Sequence, residues 1–225
     1  MKIAAIISTL AAPLAAQEFA LPVGCEAFLT VQGRDCQVDH HFRCEGDPAG
    51  HQSRVTMSES GLTYVGTTDS EGQWISSHHV SAGSVEKLAP NPADAASFSE
   101  LVATGSDTYD FVTLSAQNGP TAYVGGDTLT GKQVVIDGVT LDETTYRISA
   151  RDDEGTEVWA SLGREFISRE FRVFLSGAGT VTTPSDSFET DGTPVQFIKP
   201  GESGFLSIKP KFGCGVLMSS FEVTP

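Results

Sequence analysis

The chain has 225 residues, with 14 Lys and Arg against 29 Asp and Glu, a formal net charge of −15. A surface this negative repels phosphate backbones and anionic headgroups, so nucleic acid is excluded as an expected partner. Four cysteines and 39% hydrophobic residues suit one disulfide-containing globular domain better than a disordered or multi-span membrane chain.

Met1–Ala16 reads MKIAAIISTLAAPLAA. A Lys near the start, an apolar run and closing small residues are the build of a secretory signal peptide. That run is too short to span a bilayer, which needs about 20 apolar residues. The expectation is a periplasmic or secreted protein, with no transmembrane segment once residues 1–16 are removed, and one domain over residues 17–225.

The cysteines agree with an oxidising compartment. Cys25, Cys36 and Cys44 crowd near the start and Cys214 lies near the end. If all four pair, at least one bridge ties the two ends together. Cys25 and Cys44 flank the turn-like Gln32-Gly33-Arg34-Asp35, so a hairpin favours Cys25–Cys44 and leaves Cys36 with Cys214. Within Cys36–Cys44, alternation puts Val38, His40 and Phe42 on one strand face.

Short strands between turn signals dominate the rest. They are expected over Arg54–Ser58, Leu62–Thr67, Gln73–Val80, Tyr109–Ala116, Ala122–Thr130, Gln133–Asp137, Tyr146–Arg151, Glu157–Ser161, Phe166–Leu175, Val195–Lys199 and Gly215–Val223. Turn residues such as Asn118-Gly119, Asp137-Gly138 and Glu154-Gly155 favour antiparallel hairpins. One helix is expected over Pro92–Thr104, with Asn91 as its cap and Gly105 as its stop. The fold class that follows is mainly β: an antiparallel curved sheet, half-barrel or barrel, with one short helix. A two-sheet sandwich is the alternative.

Motifs that carry chemistry are few. Gly126-Asp-Thr-Leu-Thr-Gly131-Lys132 fits a phosphate-binding loop until Gln133, where Ser or Thr should ligate magnesium, and it leads into a strand rather than a helix. It reads as a hairpin turn. The doublets His40-His41 and His78-His79 send one imidazole to each strand face, with His40 and His78 on the more apolar side. Converging imidazoles could hold zinc or copper. No Gly-x-Ser-x-Gly elbow is present, and the acids of Asp152-Asp153-Glu154 and Asp186–Asp191 fall in turns, so nothing names a hydrolase.

Leu129–Ala150, followed by Glu157-Val-Trp-Ala-Ser and Glu165–Gly177, resembles the late strands of periplasmic half-barrels of the lipoprotein-carrier type. The opening Cys25-Glu-Ala-Phe-Leu-Thr-Val-Gln is similar to that of a family of uncharacterised exported bacterial proteins, which implies no activity. The half-barrel resemblance implies an apolar concavity and no catalytic residues.

The function expected is therefore a non-catalytic periplasmic binding or carrier-like domain. Its apolar groove would be lined by Val38, Phe42, Tyr64, Trp74, Tyr146, Phe171 and Val173, and would take a lipid-like or apolar small ligand. The alternatives are a zinc- or copper-binding protein using His40 and His78, and a structural domain that binds another envelope protein.

Overall fold

The structure is a computed structural model, and it describes residues 18–215. The leader expected at 1–16 and nearly all of the strand expected over Gly215–Val223 lie outside the described residues. Among the described residues, fourteen strands form one antiparallel sheet that curls without closing into a barrel.

The first strands are β1 (Cys25–Gly33), β2 (Val38–Cys44), β3 (Gln52–Ser58), β4 (Gly61–Thr68), β5 (Trp74–His79) and β6 (Ser84–Leu88). The helix α1 (Phe98–Thr104) follows. Then come β7 (Ser106–Ser115), β8 (Gly119–Ile136), β9 (Val139–Arg151) and β10 (Glu157–Ser168). The chain closes with β11 (Val173–Leu175), β12 (Ala178–Thr182), β13 (Ser187–Asp191) and β14 (Pro194–Ile198).

Strands β1 to β10 each pair with the next, as short turns dictate. β12 and β13 extend one edge beside β10, β11 pairs the far end of β10, and β14 returns to the opposite edge beside β1. The Gly126–Lys132 segment is not a hairpin turn. It runs inside the 18-residue β8, where the register to β9 shifts between Leu129 and Gln133. A bulge absorbs the extra residues and increases the local twist.

Two strands expected from apolar content also change. β10 continues past Ser161 to Ser168, and Phe166–Leu175 breaks at a turn before β11, where Arg172 takes φ 53°. The helix starts six residues later than the Pro92 start suggests. Ser97 caps it, its hydroxyl accepting from the Glu100 amide, and Gly105 stops it in the left-handed region. Asn91–Ala96 is drawn into extended pairing instead: Asp94 bridges Asp110, and the Ala96 amide donates to Gln73 Oε1. Helical spacing alone does not reveal these competing partners.

Cys25 and Cys44 lie opposite each other on β1 and β2 and form one disulfide. Cys36, in the β1–β2 turn with φ 60°, bonds Cys214 across 178 residues. That bond fastens the C-terminal segment to the sheet. Phe19 and Leu21 from one chain end, with Phe205 and Leu206 from the other, cover the convex face of β1 to β4 over Phe42 and Val55.

The far ends of β9 and β10 are buried on both faces. Val139, Leu141 and Phe166 pack against Leu29, Val31 and Phe197 of β1 and β14, while Ile167 packs against Phe98 and Leu101 of α1. The sheet thus folds back on itself at one end, and α1 plugs the concave side there. Among the described residues no helix is long and apolar enough to cross a membrane.

Candidate functional site

The concave side holds a cavity of about 290 Å³, near the lower end of the range for small-molecule sites. Cross-strand register decides what faces it. Rows of paired residues run around the curl, and alternate rows point inward. One inward row takes His41 of β2, Arg54 of β3, Gly66 of β4 and Ser77 of β5. Another takes Asp107, Asp127 and Tyr146 of β7, β8 and β9, and a third takes Tyr109, Gly125, Ile148 and Ser161.

The β3–β5 wall and the β7–β10 wall face each other across the curl. Aromatic rings cover much of both. Trp74 meets Phe111 edge-on at 5.7 Å, and Tyr109 stands 5.9 Å from Phe111. Tyr64 and Tyr146 lie flat enough to place their hydroxyls on Ser77 Oγ (3.0 Å) and Ser161 Oγ (2.9 Å). They can do so because glycines stand beneath them: a side chain at Gly66 would collide with Tyr64, one at Gly179 with Tyr146, and one at Gly125 with Tyr109.

Charged groups are set into this aromatic lining. Arg54 lies over the Tyr64 ring, 5.0 Å from its centre. Burial disfavours its charge, but Asp39, Tyr64 and Glu165 outweigh that and hold the guanidinium protonated. Among the described residues it makes no ion pair with any carboxylate.

Across the cavity, Asp127 and Glu165 are in side-chain hydrogen-bond contact. Two carboxylates so close, with little water, cannot both ionise. Burial first, and the neighbouring acid next, pushes Glu165 well above the carboxylate range. Asp127 is pushed up to about 6, chiefly by burial. The pair therefore keeps a shared proton above the pH at which an isolated carboxyl would lose it. The same burial and the acids around it raise the Tyr109 phenol, which stays a hydrogen-bond donor.

His41 also lines the cavity. Burial, then Arg54, lowers its pKa to about 3, so it is neutral, and its Nε2 has no partner among the described residues. At the rim, Arg172 bonds Ser70 O at 3.0 Å and Glu71 at 3.1 Å and lies over Phe98, joining the β10–β11 turn to the start of α1.

No family model, curated protein or solved structure matches the chain. The geometry of the cavity carries the functional reading alone.

Of the groove residues read from sequence, Tyr64, Trp74, Tyr146 and Val173 line the cavity. Val38 and Phe42 face the convex side and are buried there, because alternation on β2 turns Asp39 and His41 inward instead. Phe171 lies in the β10–β11 turn, where it stacks on Phe28 and under Lys199.

His40 and His78 do not come together. They share one convex row, His40–Val55–Val65–His78, three strand spacings apart. That is about 14 Å, too far for one metal ion. His40 Nδ1 bonds Thr30 Oγ1 at 3.0 Å, its ring stacks on Phe19, and burial lowers its pKa to about 4. The one cluster with metal-ligand spacing among the described residues, Cys36, Glu59 and Cys214, contains the disulfide-bonded sulfurs and cannot act as a thiolate site.

The sequence does not single out Arg54, Asp127, Glu165 and Tyr109, and it offers His41 only as the other half of the His40-His41 doublet, with His40 preferred. A signal exists for three of them: Arg54 and Tyr109 pair with Gly66 and Gly125, and Asp127 follows Gly126, so each is a charged or aromatic residue beside a glycine inside a strand. It becomes readable only once the register is known.

Proposed function

We propose that this is a non-catalytic, extracytoplasmic binding domain that holds one small molecule in the concave cavity. The observation that carries this reading is the cavity itself: aromatic walls into which Arg54 and the Asp127–Glu165 pair project without pairing to each other. Two disulfides support an oxidising location, periplasmic or secreted.

The lining changes the ligand expected from sequence. An acyl chain here would lie against a guanidinium and two carboxyls and strip their water without replacing it, a cost of several kcal/mol. A compact ligand with polar groups and an apolar face fits better than a lipid. The carboxyl pair also lacks the ~5 Å or wider spacing that two-carboxylate sugar hydrolysis uses, which favours holding over catalysis.

A thermal-shift panel of amino acids, sugars, short organic acids and fatty acids tests the reading. A true ligand at 100 times its Kd stabilises by about 2.7 kcal/mol. The shift should fall in Trp74→Ala and Tyr146→Ala. A panel without any shift, or shifts indifferent to both substitutions, contradicts it.

A further inference from the structure

The two polar elements of the cavity have opposite character and stand on opposite walls. Arg54 comes from β3, and Asp127 and Glu165 come from β8 and β10, five and seven strands further round the curl. Arg54 and Glu165 sense each other electrostatically, yet they form no ion pair. Asp39, which offsets the Arg54 charge from the side, does not line this cavity. A forked donor therefore looks into the cavity from one wall and an acceptor-rich pair from the other.

We propose that the cavity takes a small zwitterion of the α-amino-acid type, with its carboxylate on Arg54 and its ammonium on Asp127 and Glu165. This rests on the binding reading above and names its ligand class.

The chemistry of each contact fits. A guanidinium presents parallel N–H donors that match a carboxylate's two oxygens, a pairing that a compact ammonium group cannot make. The Asp127 Oδ1 atom is buried without a donor among the described residues, and Asp127 as a whole is 6% exposed. An ammonium brings three donors to such a group. Trp74, Tyr109, Phe111 and Tyr146 would surround an apolar side chain. The volume of about 290 Å³ admits one such molecule and not a peptide or a lipid.

A purely anionic ligand would meet Arg54 but bring its charge towards two carboxyls. A purely cationic one would satisfy the carboxyls but face Arg54. A zwitterion meets both walls and adds no net charge to a cavity with little water, where an uncompensated ion is costly.

Isothermal titration of the disulfide-bonded protein decides the matter, using L-phenylalanine, 2-phenylethylamine, 3-phenylpropionate and glucose as probes. L-Phenylalanine should bind at least tenfold more tightly than either singly charged probe, and glucose should not bind. Arg54→Gln should remove the preference over 2-phenylethylamine, and Glu165→Gln the preference over 3-phenylpropionate. Circular dichroism checks that both variants keep their sheet, and Glu154→Gln, in the exposed β9–β10 turn outside the cavity, serves as the control that leaves binding unchanged. A singly charged probe or glucose binding as well as L-phenylalanine overturns the zwitterion and leaves the binding domain standing. So does L-phenylalanine binding that is indifferent to Arg54→Gln. If none of the four binds, the zwitterion is overturned, and if the protein also shows no hit in the wider thermal-shift panel, the binding reading falls with it.

Discussion

Asp127 on β8 and Glu165 on β10 reach across the intervening β9 to form one hydrogen-bonded carboxyl pair. The two strands are two spacings apart, about 10 Å, with Tyr146 of β9 beside Asp127 and Thr144 of β9 beside Glu165. Holding two acids together in a cavity costs folding energy above the pH at which both would ionise in the unfolded chain. Such an arrangement points to function rather than to stability.

The sign of that cost is testable. A carboxyl whose pKa is raised by folding stabilises the fold below its unfolded value near 4. That contribution is lost as pH rises through its folded value, about 6 for Asp127. Urea unfolding should show stability falling by on the order of 2 kcal/mol between pH 4 and pH 7 from this pair. Asp127→Asn should flatten that slope and be the more stable protein at pH 7. The nearby Asp107, Tyr109, Arg54 and His41 remain in both proteins, so a slope unchanged in the variant would refute the shared proton.

The buried histidines work in the opposite direction. Folding lowers His40 to about 4 and His41 to about 3, so each stabilises the fold above its unfolded value near 6.5. That stabilisation is lost as pH falls through the folded values. His41→Gln should therefore reduce the loss of stability between pH 6.5 and pH 4, measured by the same urea curves, while the Asp127→Asn effect persists.

The two disulfides should differ in weight. Cys36–Cys214 closes a loop of 178 residues and Cys25–Cys44 one of 19. Loop entropy assigns about 5 kcal/mol to the first and about 3 kcal/mol to the second. The first also holds the segment whose Phe205 and Leu206 cover Phe42 and Val55. Calorimetry of the Cys36→Ser/Cys214→Ser protein should show a larger drop in Tm than that of the Cys25→Ser/Cys44→Ser protein. Equal drops would mean that the C-terminal cover is held by packing alone.

Glycine under tyrosine is a further checkable device. A methyl group at Gly125 would meet the Arg147 carbonyl and the Tyr109 ring, and one at Gly66 would meet the Tyr64 ring. Gly125→Ala cannot be relieved by moving a side chain alone, since backbone is in the way, and should cost about 1–3 kcal/mol. Gly66→Ala meets the Tyr64 side chain first, rather than backbone, and should cost less, while displacing the Tyr64 hydroxyl from Ser77. Comparable losses from both substitutions would contradict this difference.

The sheet and the helix were legible in the sequence because they depend on local signals. Turn pairs such as Asp137-Gly138 and alternation such as Val38-x-His40-x-Phe42 need no knowledge of distant residues. What was not legible depends on register. The bulge at Leu129–Gln133 reads as a turn because Gly131 takes a positive φ in either setting, and the weakly apolar strands β6, β12 and β13 are too polar to stand out. Which of His40 and His41 faces the cavity is set by how β2 meets β3. Apolarity points to the convex side, because Phe19, Leu21, Phe205 and Leu206 cover that face and hide it from water. The concave side is partly polar, so apolar alternation marks only its aromatic half, Tyr64, Trp74 and Tyr146, and carries no sign of Arg54, Asp127 and Glu165.

The most direct measurement is native mass spectrometry of the protein exported to a bacterial periplasm and purified without denaturation. The expected result is a mass above that of the disulfide-bonded chain by one small molecule, lost on denaturing and absent from Arg54→Gln. A bare chain mass under native conditions, with no adduct recovered on adding any member of the thermal-shift panel, would contradict a binding domain built around this cavity.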